Sequence, residues 1–101
     1  MAIQILAAED FLSYSEIYPV LDVRSPVEYK HAHIPGAISF PLFSDEERVK
    51  VGTVYKQQSR EEAIKLGLDF FGPKMRKMVE KAEEITRAEN DASEKTILVH
   101  C

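Results

Sequence analysis

The sequence predicts an α/β domain of three layers, a parallel sheet flanked by helices, spanning residues 1–101. Three observations carry that reading. Apolar runs that suit strands alternate with capped segments that suit helices along the whole chain. Two of those runs, Tyr18–Arg24 (YPVLDVR) and Thr96–Val99 (TILV), have the continuous apolar character of strands buried on both faces of a parallel sheet. At 101 residues the chain is one domain at most.

Taken in order, Ile3–Leu6 reads as a short first strand and Ala8–Tyr14 as a short helix with Phe11 and Leu12 facing inward. Tyr18–Arg24 is the second strand. Ser25-Pro26-Val27-Glu28 opens a helix, with a capping serine, proline at the first helical position and a glutamate to close the box. Pro35-Gly36 ends that helix after about two turns, and Ala37–Pro41 reads as another short strand. Ser44-Asp45-Glu46-Glu47 repeats the Ser-x-x-Glu cap and predicts a helix through Arg48 and Val51, weakened at Gly52. Ser59-Arg60-Glu61-Glu62 is a third such cap. In the stretch it opens, Leu68, Phe71, Met75, Met78, Ala82 and Ile85 recur at spacings of three and four, an apolar helical stripe. Gly72-Pro73 should kink or break it. Glu89–Lys95 is a polar loop before the last strand, Thr96–Val99.

The composition excludes several classes. No apolar run approaches the roughly 20 residues of a membrane span, and MAIQILAAEDF lacks the basic start of a signal peptide. The lone cysteine cannot form an internal disulfide, so the cytoplasm is the expected compartment. The net charge of −4 is unevenly spread: Arg48–Lys81 holds nine Lys/Arg against four Asp/Glu, and the rest holds four against thirteen. Such segregation fits either a face for a polyanion such as RNA or a solvated basic stripe on a helix.

Parallel sheets bind ligands beyond the carboxyl ends of their strands. Two polar clusters are expected there: Asp22–Arg24 leading into Ser25–Glu28, and His100-Cys101. A strand-end thiol can be a nucleophile when backbone amides follow it, and an isolated cysteine ending an apolar strand can equally be a small buried hydrophobe.

LDVRSPVEYKHAHIPGAISFP (Leu21–Pro41) resembles the first signature of the rhodanese family: a strand ending Asp-x-Arg, a glutamate on the next short helix, then His-Ile-Pro-Gly-Ala and a short strand. The resemblance implies that Cys101 is the catalytic cysteine that carries sulfur as a persulfide. It also implies that Asp22, Arg24, Glu28 and His33 are scaffold beneath the active-site loop. PLFSDEERVKVGTVYKQQSREEAIKLGLDF (Pro41–Phe70) is similar to a stretch found in the rhodanese-like domain of the tRNA 2-selenouridine synthase family. That narrower resemblance implies a transferase that replaces the sulfur of wobble 2-thiouridine in tRNA by selenium. Selenophosphate would be the donor, geranyl diphosphate would supply a geranylated intermediate, and a sulfur- or selenium-delivery protein is a candidate partner. Tyr55 and Lys56 would contact tRNA by stacking and phosphate pairing, Arg60 would share the basic face, and Gly52 would permit a tight turn or close approach of RNA. The family further implies a Gly- and Arg-containing loop after Cys101, a last strand with its helices, and a P-loop domain. None of these lies within residues 1–101, so the chain reads as the N-terminal portion of a rhodanese-like domain, binding no cofactor itself and inactive in isolation.

Four other readings fit parts of the pattern, the first being a rhodanese-fold sulfurtransferase of another pathway. Cysteine-dependent phosphatases also present a nucleophile after a strand ending Val-His-Cys. A rhodanese fold can serve as a non-catalytic docking module. His31, His33, His100 and Cys101 supply ligand types for zinc, although adjacent strand residues point to opposite faces, which opposes joint chelation by His100 and Cys101.

Overall fold

The computed structural model describes residues 3–88 and 96–101. Its elements run α1 (Ala8–Tyr14), β1 (Val20–Asp22), α2 (Pro26–His31), β2 (Ile38–Ser39), α3 (Asp45–Gln57) and α4 (Arg60–Phe71). A 3₁₀ turn (Gly72–Lys74), α5 (Met75–Ala88) and β3 (Leu98–His100) follow. The three strands form one parallel sheet in the order β2-β1-β3, with Leu21 opposite Ile38 and Asp22 opposite His100. The α/β architecture with a parallel sheet flanked by helices is therefore the one the alternation predicted. Glu89–Lys95, the expected polar loop, lies outside the described residues.

β1 is central, and its three residues are all buried. Val20 packs with Ala37 and Leu98, and Phe11 of α1 and Tyr29 of α2 lie against this cluster. Leu21 alternates to the opposite face and is only 2% exposed, as a strand covered on both sides requires. The turn before β2 depends on Gly36, whose φ of 82° is a left-handed conformation that glycine adopts without steric cost, and Ala37 N–H donates to the Ile34 carbonyl at 2.9 Å.

The serine caps form where local sequence places them. Ser44 Oγ accepts from Glu47 N–H while Glu47 Oε1 accepts from Ser44 N–H, and Ser59 Oγ accepts from Glu62 N–H. In α2 the box closes differently, with both the N–H and the hydroxyl of Ser25 donating to Glu28 Oε1. Asp45 Oδ1 accepts from Val27 N–H at 2.9 Å, which ties the start of α3 to α2. Lys74 Nζ donates to Glu47 Oε1 at 2.6 Å, closing the α3–α4 hairpin from its far end.

Three expectations are corrected. Ile3–Leu6 forms no strand, since it pairs with none of β1, β2 and β3; Ile3 and Ile5 are 90% and 99% exposed, and only Leu6 reaches the core. Leu12 points outward, since a helix of seven residues has one inward face and Phe11 occupies it. The helix begun at Ser44 runs through Gly52 to Gln57, so Gly52 is neither a turn nor a break. One glycine costs about 1 kcal/mol in a helix, too little to end a well-capped one. As expected, the stripe from Leu68 to Ile85 is interrupted at Gly72-Pro73, by a 3₁₀ turn, and Leu68 and Met75 on either side of it are about half exposed.

Candidate active site at the carboxyl ends of the strands

The carboxyl ends of β1 and β3 lie side by side, and the side chains that follow from them form one cluster. Asp22 is wholly buried. Its Oδ1 accepts from Arg24 Nε at 2.9 Å and from Arg24 N–H at 3.1 Å, and its Oδ2 accepts from Arg24 Nη2 at 2.7 Å. This forked, charge-assisted contact holds the Asp22 carboxyl below the usual carboxylate range, against the opposing effect of burial. The same contact raises the Arg24 guanidinium above its ordinary value. Arg24 Nη2 also donates to the Ala32 carbonyl at 2.7 Å, so the guanidinium joins the end of β1 to the end of α2.

Glu28 and His33 brace the next turn. Glu28 caps α2 through Ser25 and stands 3.9 Å from Arg48 Nε. His33 stacks on Tyr29 with ring centroids 3.8 Å apart, and its Nδ1 lies 2.8 Å from the Tyr29 carbonyl. Tyr29 Oη donates to the Ala37 carbonyl at 2.6 Å, fixing the loop that leads into β2.

On β3, His100 sits directly opposite Asp22, with Nδ1 3.6 Å from Asp22 Oδ2. Its backbone carbonyl accepts from Val23 N–H at 3.0 Å, and its ring meets the Phe11 ring in an edge-on arrangement. Cys101 follows at the strand end, a free thiol exposed to solvent. The zinc alternative is not assembled: His33 is engaged with Tyr29, and His100 faces Asp22. Among the described residues no group of three or more potential ligands could hold a metal ion.

The four residues singled out on α3 and α4 stand apart from this cluster. Tyr55 and Arg60 instead line an open apolar groove of about 380 Å³ between α3 and α4, together with Leu42, Phe43, Ile64 and Leu68. Lys56 is exposed on the same helix as Tyr55, and Gly52 is covered by Arg48, whose Nη1 would stand 3.3 Å from an added Cβ. The floor of the groove is Gly67, buried against Phe43, where a Cβ would approach the Phe43 ring to 3.3 Å. Sequence reasoning passed over Phe43, Gly67 and the groove; the signal present was the pair of small residues one helical turn apart, Ala63 and Gly67, which lets another element approach closely. It also passed over the Asp22–His100 juxtaposition, which depends on the register of β1 and β3.

The parallel sheet thus sets an Asp-x-Arg brace at one strand end and an exposed thiol at the next. The family profile of the Rhodanese-like domain matches residues 7–101, and the chain belongs to that family. Relatives named tRNA 2-selenouridine synthase are about 50% identical to it over half to two thirds of its length. The enzyme of Shewanella denitrificans is 48% identical over 68 residues, covering 66% of this chain and 18% of its own. That of Nitrosomonas europaea is 54% identical over 52 residues, covering 52% and 14% respectively. The chain thus spans less than a fifth of the length of these relatives. Among solved structures, the "N-terminal domain of putative ATP/GTP binding protein" from Clostridium difficile 630 superposes with a TM-score of 0.80 at 32% identity, covering 97% of this chain and 71% of that one.

Proposed function

We propose that the full chain replaces the sulfur of 2-thiouridine at the tRNA wobble position by selenium, with Cys101 as the chalcogen-carrying nucleophile. The observation that carries this reading is Cys101 itself, an exposed thiol at the end of a parallel strand, beside a buried Asp-Arg brace. The similarity to tRNA 2-selenouridine synthases supports the choice of substrate. A thiolate is soft and polarisable, which suits it to bear sulfur or selenium. The cycle balances with Cys101 resting as a mixed disulfide with a small thiol: selenophosphate selenium attacks the Cys101 sulfur, the small thiol departs and water takes the phosphoryl group as phosphate, leaving a perselenide. Its selenium then attacks the electrophilic carbon with loss of the sulfur leaving group, and the small thiolate attacks the Cys101 sulfur, restoring the mixed disulfide and freeing the selenouridine. Selenophosphate is the selenium donor in this reading, a delivery protein for sulfur or selenium is a candidate partner, and the cytoplasm, where tRNA resides, is the compartment. Among the described residues no helix is long and apolar enough to cross a membrane.

Exchange of sulfur for selenium needs a leaving group. Alkylation of the thiocarbonyl sulfur by geranyl diphosphate, with loss of diphosphate, would turn that sulfur into a thioether that can depart as geranyl thiol. The apolar groove between α3 and α4, with Arg60 as its charged lining residue, has the chemistry to hold an isoprenoid chain with an anionic head. The chain covers 18% and 14% of these relatives, and in this reading residues 1–101 alone are expected to be inactive.

Incubating the full chain with selenophosphate, geranyl diphosphate and tRNA bearing 2-thiouridine is expected to yield 2-selenouridine, read by mass spectrometry of the digested nucleosides. Absence of that product, together with hydrolysis of an aryl phosphate, would turn the reading to a cysteine-dependent phosphatase. Lys56 and Arg60 supply a second test. If they pair with phosphates, reversing both to glutamate flattens the dependence of tRNA affinity on salt by about one log unit per log unit of salt for each phosphate pairing removed. An unchanged slope would assign both to a solvated helix face.

A further inference from the structure

The fold sorts the basic residues between Arg48 and Lys81 into charges that are paired and charges that are not. Arg48 stands near Glu28, Lys65 near Glu62, Lys74 on Glu47 and Arg76 near Glu80. Lys77 and Lys81 are exposed on α5, and neither forms an ion pair among the described residues. Four positions apart, they share one face of that helix. Their place relative to the sheet follows from the chain path. The chain leaves β2 at its carboxyl end and must return to the amino end of β3, and α5 is the helix that makes the return. Its first turns therefore lie at the carboxyl ends of the strands. Lys81 agrees with this: its Nζ lies over the Phe40 ring, 5.6 Å from the centroid. Phe40 N–H donates to the Asp22 carbonyl at 2.8 Å, at the end of β1, and Asp22 stands opposite His100, the residue before Cys101.

We propose that Lys77 and Lys81 hold phosphates of the tRNA next to the nucleotide presented to Cys101. The proposal rests on the reading of tRNA as the substrate and names the surface that receives it. Neighbouring strands lie about 4.8 Å apart, so β2, beside which Lys81 stands, is about 10 Å from β3 across the central β1. One strand of a duplex carries a phosphate about every 3.4 Å along its axis. A nucleotide at the end of β3 thus has phosphates a few positions along the strand within reach of α5. Lysine suits that contact, as a compact charge with three donors on a flexible stem. The π face of Phe40 already attracts the Lys81 ammonium, so less side-chain freedom is lost on binding. Lys74 and Arg76, on the same segment, would first have to give up Glu47 and Glu80.

The test uses the full chain and tRNA bearing 2-thiouridine. Lys77→Gln with Lys81→Gln removes both charges and keeps good helix formers at both positions. Filter binding is followed from about 0.05 to 0.2 M salt. The slope of log affinity against log salt is expected to flatten by about 1.4, roughly 0.7 for each contact to a single-stranded loop, and affinity near 0.15 M to fall on the order of tenfold. Lys77→Arg with Lys81→Arg is expected to keep the slope, since the charges remain. Lys30→Gln with Lys65→Gln removes the same charge from exposed positions on α2 and α4 and is expected to leave the slope unchanged. An unmoved slope in the first variant, an equal loss in the arginine variant, or an equal loss in the Lys30 and Lys65 variant would overturn the proposal. A measurement on the wild type needs no variant to fold: bound tRNA should protect Lys77 and Lys81 from acetic anhydride, read by peptide mass spectrometry, and equal labelling with and without tRNA would also overturn it. No selenium enters either measurement. Selenation with an unmoved slope removes this surface alone, and a flattened slope without 2-selenouridine removes the selenation reading alone.

Discussion

Replacing Cys101 by serine in the full chain is expected to reduce 2-selenouridine in tRNA to background while leaving tRNA affinity within about twofold. The hydroxyl is nearly isosteric with the thiol, so the end of β3 and the neighbouring contacts of His100 persist. What disappears is the chemistry: an alkoxide is inaccessible near neutral pH, and oxygen does not form the polarisable bond to sulfur or selenium that a carrier needs. Liquid chromatography and mass spectrometry of tRNA from cells carrying the variant as their sole copy measures the first quantity, and filter binding the second. Wild-type levels of the modified nucleoside would remove Cys101 from the mechanism.

The second large effect concerns Asp22. Asp22→Ala is expected to destabilise the domain by about 3 kcal/mol, at the lower end of what breaking a buried ion pair costs because Arg24 is partly solvated. It deprives Arg24 Nε, the Arg24 backbone N–H and one bond of Nη2 of their acceptor, and leaves the buried Nδ1 of His100 facing nothing. For a domain of this size the melting temperature falls by roughly 12–24 °C. The same residue sets an acid limit. Its folded-state pKa lies below the unfolded value, so its contribution is complete above about pH 4, the ordinary carboxylate range, and disappears as pH falls through the lower folded value. Wild-type stability should therefore drop more steeply than that of the variant below pH 4. A parallel pair of curves in calorimetric melts across pH 2–6 would show that Asp22 is not the group responsible.

What could be read from the sequence was what neighbours in the chain decide. Ser25, Ser44 and Ser59 cap their helices because each cap is settled within four residues. Asp22 and Arg24 meet because a strand end places residues two apart on one side. The apolar runs of β1 and β3 signalled their burial and the parallel sheet. Ile3–Leu6 misleads because a strand exists only by pairing, which an apolar run does not by itself establish. Gly52 misleads because the cost of one glycine must be weighed against a whole capped helix. The groove is invisible in the sequence for a related reason: Phe43 and Gly67 are twenty-four positions apart and meet only when α3 and α4 pack. The face-to-face placement of Asp22 and His100 likewise depends on a register between strands that are distant in the chain.

The clamp from Lys74 to Glu47 has a consequence for how the molecule assembles. Together with the two serine caps and the seat of Phe43 on Gly67, it holds residues 43–74 by internal contacts that span at most 27 positions, besides the ties to α2 through Asp45 and Arg48. The sheet, by contrast, needs β1 to meet β3 across more than seventy residues. Closing a short loop costs less entropy than closing a long one, so the helical hairpin can form while the ends of β1 and β3 are still apart. The strand that bears the thiol then joins β1 after the helical hairpin has formed.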